Sequence, residues 1–402
     1  MSDLATWHRT NDEYLSAALV WLRLRLTRLI EQQQTGSVVP STAETATISD
    51  AQIEQAAVTM QHAATPDLSP ALVILSHRLG LGQFEAQVLL LCAAMEFDTR
   101  MGALCAQAQN DAACSYPTFA LALALFDDPV WEALSPERPL RYWQLIEINQ
   151  SAAQPLTVSA LRADERVVNY IKGLNYLDDR LKPWVVSMTG TVDALPPSQQ
   201  QQAENIIRYI RAAAHEWPIV NLLGADSASK RAIAKQAAQA LGLNVYRLSA
   251  EVLPVSWREL ETFARLYQRE SYLLPIALYL EAPDDDKALT AVNHFLVRSS
   301  GLVFIDTREF RLQIERDVLT IDIAKPAAAE QATLWQQALG QQAGSMPALL
   351  AGQFNLNAAE IQRIAHSASG AAAYTAAPAA DDGGGAGSRR VLLHPVPERV
   401  RG

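Results

Sequence analysis

Between Glu13 and Gln34 the apolar residues Leu15, Leu19, Leu22, Leu26 and Leu29 recur at alternating spacings of four and three, the seam of a coiled-coil-like helix. Trp21 and Leu24 fall on other faces, so core packing on more than one side is expected. A polar stretch from Thr35 to Thr47 reads as a linker. A second helical pattern then starts near Ser49, where Ser49-Asp50-Ala51-Gln52 has the spacing of a capping box. Between Pro66 and Leu181, short helical patterns at 69–79, 82–97, 98–109 and 116–126 alternate with turn signals. Pro129, Pro136 and Pro139 interrupt them, and residues 140–148 and 154–160 read as a helix and a strand or as a small hairpin. Several helices followed by a hairpin predict a winged-helix arrangement.

Pro196, Pro197 and the Gln199 to Gln202 tract mark a boundary, and 203–216 has helical composition. Beyond it the pattern alternates: strand 219–223, helix 228–240, strand 244–248, helix 257–269, strand 276–280, helix 287–297, strand 302–306 and strand 318–323. Such alternation predicts a parallel sheet covered on both faces. The connection from Thr307 to Asp317 has no clear helix. Pro326 opens a helical segment at 327–339, and 354–366 reads as another, capped by Asn355 or Asn357. After Ser367 the text turns to Ala, Gly, Pro and Asp without period, and is expected to be disordered.

At 402 residues the chain is long enough for two or three domains, and 49% apolar against 19% charged residues is a globular mixture. The 43 acidic and 33 basic side chains give a formal charge of -10, which disfavours phosphate backbones and anionic lipid. The winged-helix region itself, 66–181, carries 8 basic against 14 acidic residues, so protein is the expected partner there and nucleic acid is not. Cys92, Cys105 and Cys114 form no C-x-x-C pair, which fits a reducing cytoplasm without disulfides or zinc. No signal-peptide order is present at the N-terminus, and the longest apolar runs are too short to span a bilayer, so no membrane role is expected.

In an open parallel sheet the turn after the first strand is where a phosphate loop belongs. Here that turn is Gly224-Ala225-Asp226-Ser227-Ala228-Ser229-Lys230-Arg231. Against G-x-x-x-x-G-K-[ST] it keeps the first glycine and the lysine, while Ser229 replaces the second glycine and Arg231 the hydroxyl. Ser229 puts a side chain where backbone should hug phosphate, Arg231 offers no oxygen to magnesium, and Asp226 adds a negative charge. Lys230 and the amides of a helix N-terminus still attract phosphate. Gly224, Ser227, Ser229, Lys230 and Arg231, with Asp306 alongside, are therefore the candidate cofactor-binding residues. ATP or ADP is the cofactor considered, and Mg2+ only if the site hydrolyses. Glu281, at the end of strand 276–280, is the candidate catalytic acid; no metal site is assigned. Asp284 to Asp286 read as a solvated turn, Asp306 and Thr307 as turn caps if not phosphate-facing, and His294 as a boundary histidine.

With these residues in view, the chain resembles the AAA+ ATPases encoded with extracellular contractile injection systems, which are phage-tail-like assemblies. The most specific stretches are Phe84-Glu85-Ala86-Gln87-Val88-Leu89-Leu90-Leu91-Cys92-Ala93-Ala94-Met95-Glu96, Tyr116-Pro117-Thr118-Phe119 onward to Pro129, Pro136-Glu137-Arg138-Pro139-Leu140-Arg141, and Arg162-Ala163-Asp164-Glu165-Arg166. The resemblance implies an α/β protein: a mostly helical, winged-helix-like N-terminal region, then a P-loop-type parallel α/β domain with a small helical lid. The corresponding spans are 1–65 for helices and linker, 66–195 for the winged helix, 200–325 for a degenerate AAA+ domain, 326–366 for the lid and 367–402 for the tail. It also implies a further, complete AAA+ domain that this sequence does not contain, and the change at Ser367 resembles a frameshifted or truncated product. Partners implied are proteins of the phage-tail-like assembly and further copies of the chain in a hexamer. The other reading is a non-catalytic winged-helix adaptor or DNA-binding protein.

Overall fold

A computed structural model describes residues 2–35, 48–64, 68–151, 153–190, 194–213, 217–282, 286–308, 314–340 and 343–376. Of the expected linker at 35–47 only Thr35, the end of the first helix, is described; 36–47, Asp284 and Asp285, and the tail from 377 lie outside the described residues. Two compact units divide at Ala324 and Lys325.

The first unit opens with α1 (Ser2–Thr35), α2 (Asp50–Ala63), α3 (Ala71–Leu79), α4 (Gln83–Phe97), α5 (Met101–Ala108), α6 (Phe119–Leu125) and a short α7 (Pro139–Tyr142). The Leu seam accounts for α1: Leu15, Leu22 and Leu26 are buried, while Leu19 and Leu29 pack partly buried against the same core. Trp21, off the seam, is also buried, stacked 6.0 Å from the ring of Phe126, so α1 is covered on two sides. Ser49 and Gln52 form the capping box of α2. In α4, Val88 to Ala94 are all buried, which explains a run too apolar for a surface helix. The ambiguity after Pro139 resolves as a hairpin: β1 (Ile146–Asn149) pairs antiparallel with β2 (Ala160–Ala163), Ile146 opposite Ala163. Helix α8 (Glu165–Ile171) follows, its first turn capped by Asp164, whose carboxylate accepts from the Val167 amide.

The α/β part contains β3 (Val185–Ser187), α9 (Pro197–Ala212), β4 (Ile219–Leu223), α10 (Ser227–Ala240), β5 (Asn244–Ser249), α11 (Trp257–Leu273), β6 (Ile276–Glu281), α12 (Asp286–Arg298), β7 (Leu302–Thr307) and β8 (Val318–Asp322). Its six strands lie in the order β3-β5-β6-β7-β4-β8; all neighbours are parallel except β3 with β5. Two apolar clusters, one on each face, sandwich the sheet: one gathers Phe263, Tyr267 and Phe295, the other Ile206, Ile233 and Ala237. Two features differ from the sequence pattern. Strand β3 falls before residue 200, where the α/β domain was expected to begin, yet extends its sheet. The Gln199 to Gln202 tract is not punctuation but the first turns of α9, with Gln199 buried.

A buried charge network fastens α11 to the helical part. Arg269 and Glu270 are fully buried. Glu270 pairs with Arg166 at 3.1 Å, Arg269 with Asp178 at 2.5 Å and with Asp164 at 3.5 Å, and Arg180 reaches Asp164 at 2.7 Å. Three arginines meet three carboxylates here, so the desolvated charges compensate one another.

The second unit packs α13 (Ala328–Leu339), α14 (Met346–Gln353) and α15 (Ala358–Ala376) around Trp335, Ala351, Ile361 and Ala365. Asn357 caps α15: its side-chain oxygen accepts from the Glu360 amide at 2.8 Å, and the Glu360 carboxylate accepts from the Asn357 amide at 2.9 Å. Helix α14 was not anticipated. Helix α15 corrects the expectation that order ends at Ser367, since it continues to Ala376, carried by an alanine-rich stretch of high helix propensity.

Candidate functional site

The carboxyl ends of β4, β6 and β7 are level with one another: Leu223 stands opposite Thr307, and Glu281 opposite Asp306. Because β7 is the neighbour of β4, Asp306 flanks the turn that leaves β4, the adjacency its candidacy required. Gly224 opens that turn with φ at +122°, and a Cβ there would collide with the Ile323 carbonyl oxygen, so only glycine fits. The chain then enters α10, whose fourth residue is Lys230.

Lys230 lies fully buried at the sheet edge and its ammonium is satisfied from within. It donates to the Gly224 carbonyl at 2.6 Å and to the Thr307 carbonyl at 3.0 Å, and forms an ion pair with Asp306. An ammonium has three protons, and three acceptors surround it. The other Asp306 oxygen accepts from the Tyr279 hydroxyl at 2.7 Å. Burial, with the Asp306 carboxylate adding to it, raises the Tyr279 pKa far above the usual phenol range, so Tyr279 stays protonated and donates.

The remaining candidates are likewise engaged. The Ser229 hydroxyl accepts from the Gln199 side chain at 2.8 Å, and Gln199 also donates to the Ala324 carbonyl at 3.2 Å. The Ser227 carbonyl lies 3.4 Å from the Tyr279 hydroxyl. Arg231 pairs with Glu281 at 3.1 Å and Arg247 approaches the same oxygen at 3.7 Å, so the strand-end acid is held between two guanidiniums. Thr307 donates its hydroxyl to Asn221 at 2.8 Å. Asp226, the N-cap residue of α10, is buried. His294 sits at a boundary against Trp257, with ring centroids 4.5 Å apart, and burial together with Arg298 lowers its pKa.

Gly224, Ser227, Ser229, Lys230, Arg231 and Asp306 thus come together at one sheet edge, with Glu281 tied in through Arg231. Sequence reasoning missed Gln199, Asn221 and Tyr279. The available signals were a polar residue inside the apolar strand Ile219-Val220-Asn221-Leu222-Leu223 and a tyrosine inside Ile276 to Leu280.

Residues 5–185 match the family model of a winged helix domain, variant, and residues 327–391 match that of the contractile injection system ATPase helical domain. The second match likens the C-terminal part of the chain to the helical domain of contractile injection system ATPases. No curated protein matches the chain. The first match runs from within α1 to the first residue of β3, and the second begins at the foot of α13. The turn around Lys230 falls between the two, so its interpretation rests on geometry alone. No described helix is long and apolar enough to cross a membrane. Burial pushes the Cys105 thiol up to about 12 and also raises Cys92, which feels Cys105 in addition, so neither is a thiolate near neutrality.

Proposed function

We propose that this chain is an AAA+-type member of a contractile injection system's ATPase family whose own phosphate turn is closed, and that it acts through contacts with protein partners. The observation carrying this reading is the buried Lys230 ammonium, whose donors are all taken by Gly224, Thr307 and Asp306.

The residues present do not fit a magnesium-bound triphosphate. The cation that would meet phosphate is neutralised by a carboxylate, so an arriving phosphate would have to displace Asp306 and leave it charged and buried. Ser229 fills the place of a glycine and is anchored by Gln199, and the position after the lysine is an arginine committed to Glu281. Asp306 supplies inside the fold a counter-charge for Lys230. On this reading the α/β domain is a scaffold, Glu281 is an ion-pair partner rather than a water-orienting base, and ATP or ADP is no resident cofactor. The partners are proteins of the phage-tail-like assembly, with further copies of the chain among them.

Phosphate release from ATP, with and without magnesium, tests the reading. The purified chain is expected to give no turnover above the uncatalysed background. Brisk magnesium-dependent hydrolysis that disappears in Lys230→Ala would overturn it. The DNA-binding reading has no supporting observation, because the winged-helix region carries an acidic excess.

A further inference from the structure

The first unit ends at Ala324, and its last residues run against the turn that leaves β4. The Ile323 amide donates to the Leu223 carbonyl at 2.8 Å, which continues the pairing with β4 one residue past the end of β8. The Ile323 carbonyl faces Gly224 so closely that a Cβ there would collide with it. One residue further, the Ala324 carbonyl accepts from the side-chain amide of Gln199, the third residue of α9, at 3.2 Å. The same amide nitrogen donates at 2.8 Å to the Ser229 hydroxyl in the first turn of α10. Its two protons thus serve two elements, the helix that follows the turn and the segment by which the chain leaves the first unit.

These bonds lie inside the fold. Gln199 and Ser229 are each 3% exposed, so a partner lost here is not replaced by bulk water. Ser229 is also the residue that stands in place of the second glycine of the phosphate-loop pattern, and a glycine there would offer Gln199 no acceptor. Its neighbour Lys230 is bound to the Gly224 and Thr307 carbonyls, which keeps this turn of α10 seated. Beyond Ala324 the chain has little slack. Lys325 is held within the second unit, where it donates to the Asn355 carbonyl at 2.9 Å and pairs with Glu360 at 3.3 Å, and the ring of Pro326 fixes its own φ. The freedom of the chain where the two units join therefore depends on whether Ala324 is held.

We propose that Gln199 is a latch that couples the turn after β4 to the exit of the chain at Ala324: while Ser229 is seated the exit is held, and displacement of Ser229 releases it. The coupling is reciprocal, so a pull that frees Ala324 also loosens Ser229. The inference rests on the reading of the turn as closed and deepens it, because a turn that grips no phosphate then serves to fix the end of the first unit.

Hydrogen exchange of the full chain without nucleotide, read by mass spectrometry, tests the latch. The reporter is the peptide 319–325, which contains the bonded Ile323 amide, and a peptide from the buried helix α4 reports opening of the whole fold. Gln199→Met removes both donors and keeps a side chain of similar length; it is expected to speed exchange in the reporter by about three- to tenfold more than in α4. Should that variant not fold, Gln199→Asn, whose amide stops one methylene short, carries the same test. Ser229→Ala is expected to speed the reporter in the unaltered chain and to add nothing in Gln199→Met, where the latch is already open. A reporter that responds no more than α4 does, or a Ser229→Ala effect of the same size in both backgrounds, overturns the proposal. Uncoupled exchange without ATP turnover would reject the latch and leave the closed turn intact; ATP turnover with coupled exchange would reject the closed turn and leave the Gln199 bridge in place.

Discussion

Lys230 and Asp306 form an ion pair that, with two backbone carbonyls, takes up every donor of the lysine. Both are buried, and each is the other's counter-charge, so removal of either leaves an uncompensated charge in the interior. Lys230→Met and Asp306→Asn are each expected to lower unfolding free energy by about 3–5 kcal/mol in urea titrations. The double variant is expected to cost clearly less than the sum, because both charges leave together. Strict additivity would show that the two side chains do not depend on each other. Gly224 and Lys230 were legible in the sequence because their spacing is fixed by a turn, a local device. Asp306 was legible only as a strand-end residue beside the turn. That it neutralises the lysine, and that Tyr279 and Gln199 secure the arrangement, depends on strand order and on a helix that begins earlier than its composition suggests, and no local pattern carries those facts.

At the scale of elements, hydrophobic period was a good guide to existence and a weaker one to limits. Strand β4 and helix α13 appear almost where their patterns end, since burial on one or both faces leaves the period unbroken. Strand β3 was invisible: it is three residues long, and its outer side chains Val186 and Ser187 are exposed, so it has neither length nor alternation to show. The junction of α8 with α11 was hidden as well, because its members are spread from Asp164 to Glu270. Burial raises the Asp178 pKa, but hydrogen bonds from Arg180 and the charges of Arg269 and Arg180 outweigh it and bring the pKa below the usual carboxylate value. Such a group stabilises the fold above its unfolded pKa, about 3.9, and loses that contribution as pH falls through the lower folded value. Glu270 runs the other way: burial raises its pKa despite Arg269 and Arg166, so its contribution is present at low pH and lost as pH rises through the raised value. Asp178→Asn therefore isolates the first effect. It is expected to cost about 3–5 kcal/mol at pH 7 and less at pH 3, by up to about 1 kcal/mol, read by urea unfolding at the two values. An equal cost at both would remove the carboxylate's charge from the explanation.

For the whole molecule, the two family matches sit on its helical N-terminal part and on the unit from Lys325, and the sheet between them holds the turn. An α/β sheet whose buried lysine is neutralised from within has no need of ligand to complete its core, so its stability is expected to be indifferent to ATP. The most direct test of this account is titration calorimetry of magnesium ATP into the full chain, repeated on Lys230→Ala. The closed turn predicts no saturable binding by either protein up to nucleotide concentrations of about 1 mM, equivalent to an affinity weaker than about -4 kcal/mol. Saturable binding in the micromolar range by the unaltered chain, abolished in Lys230→Ala, would contradict it.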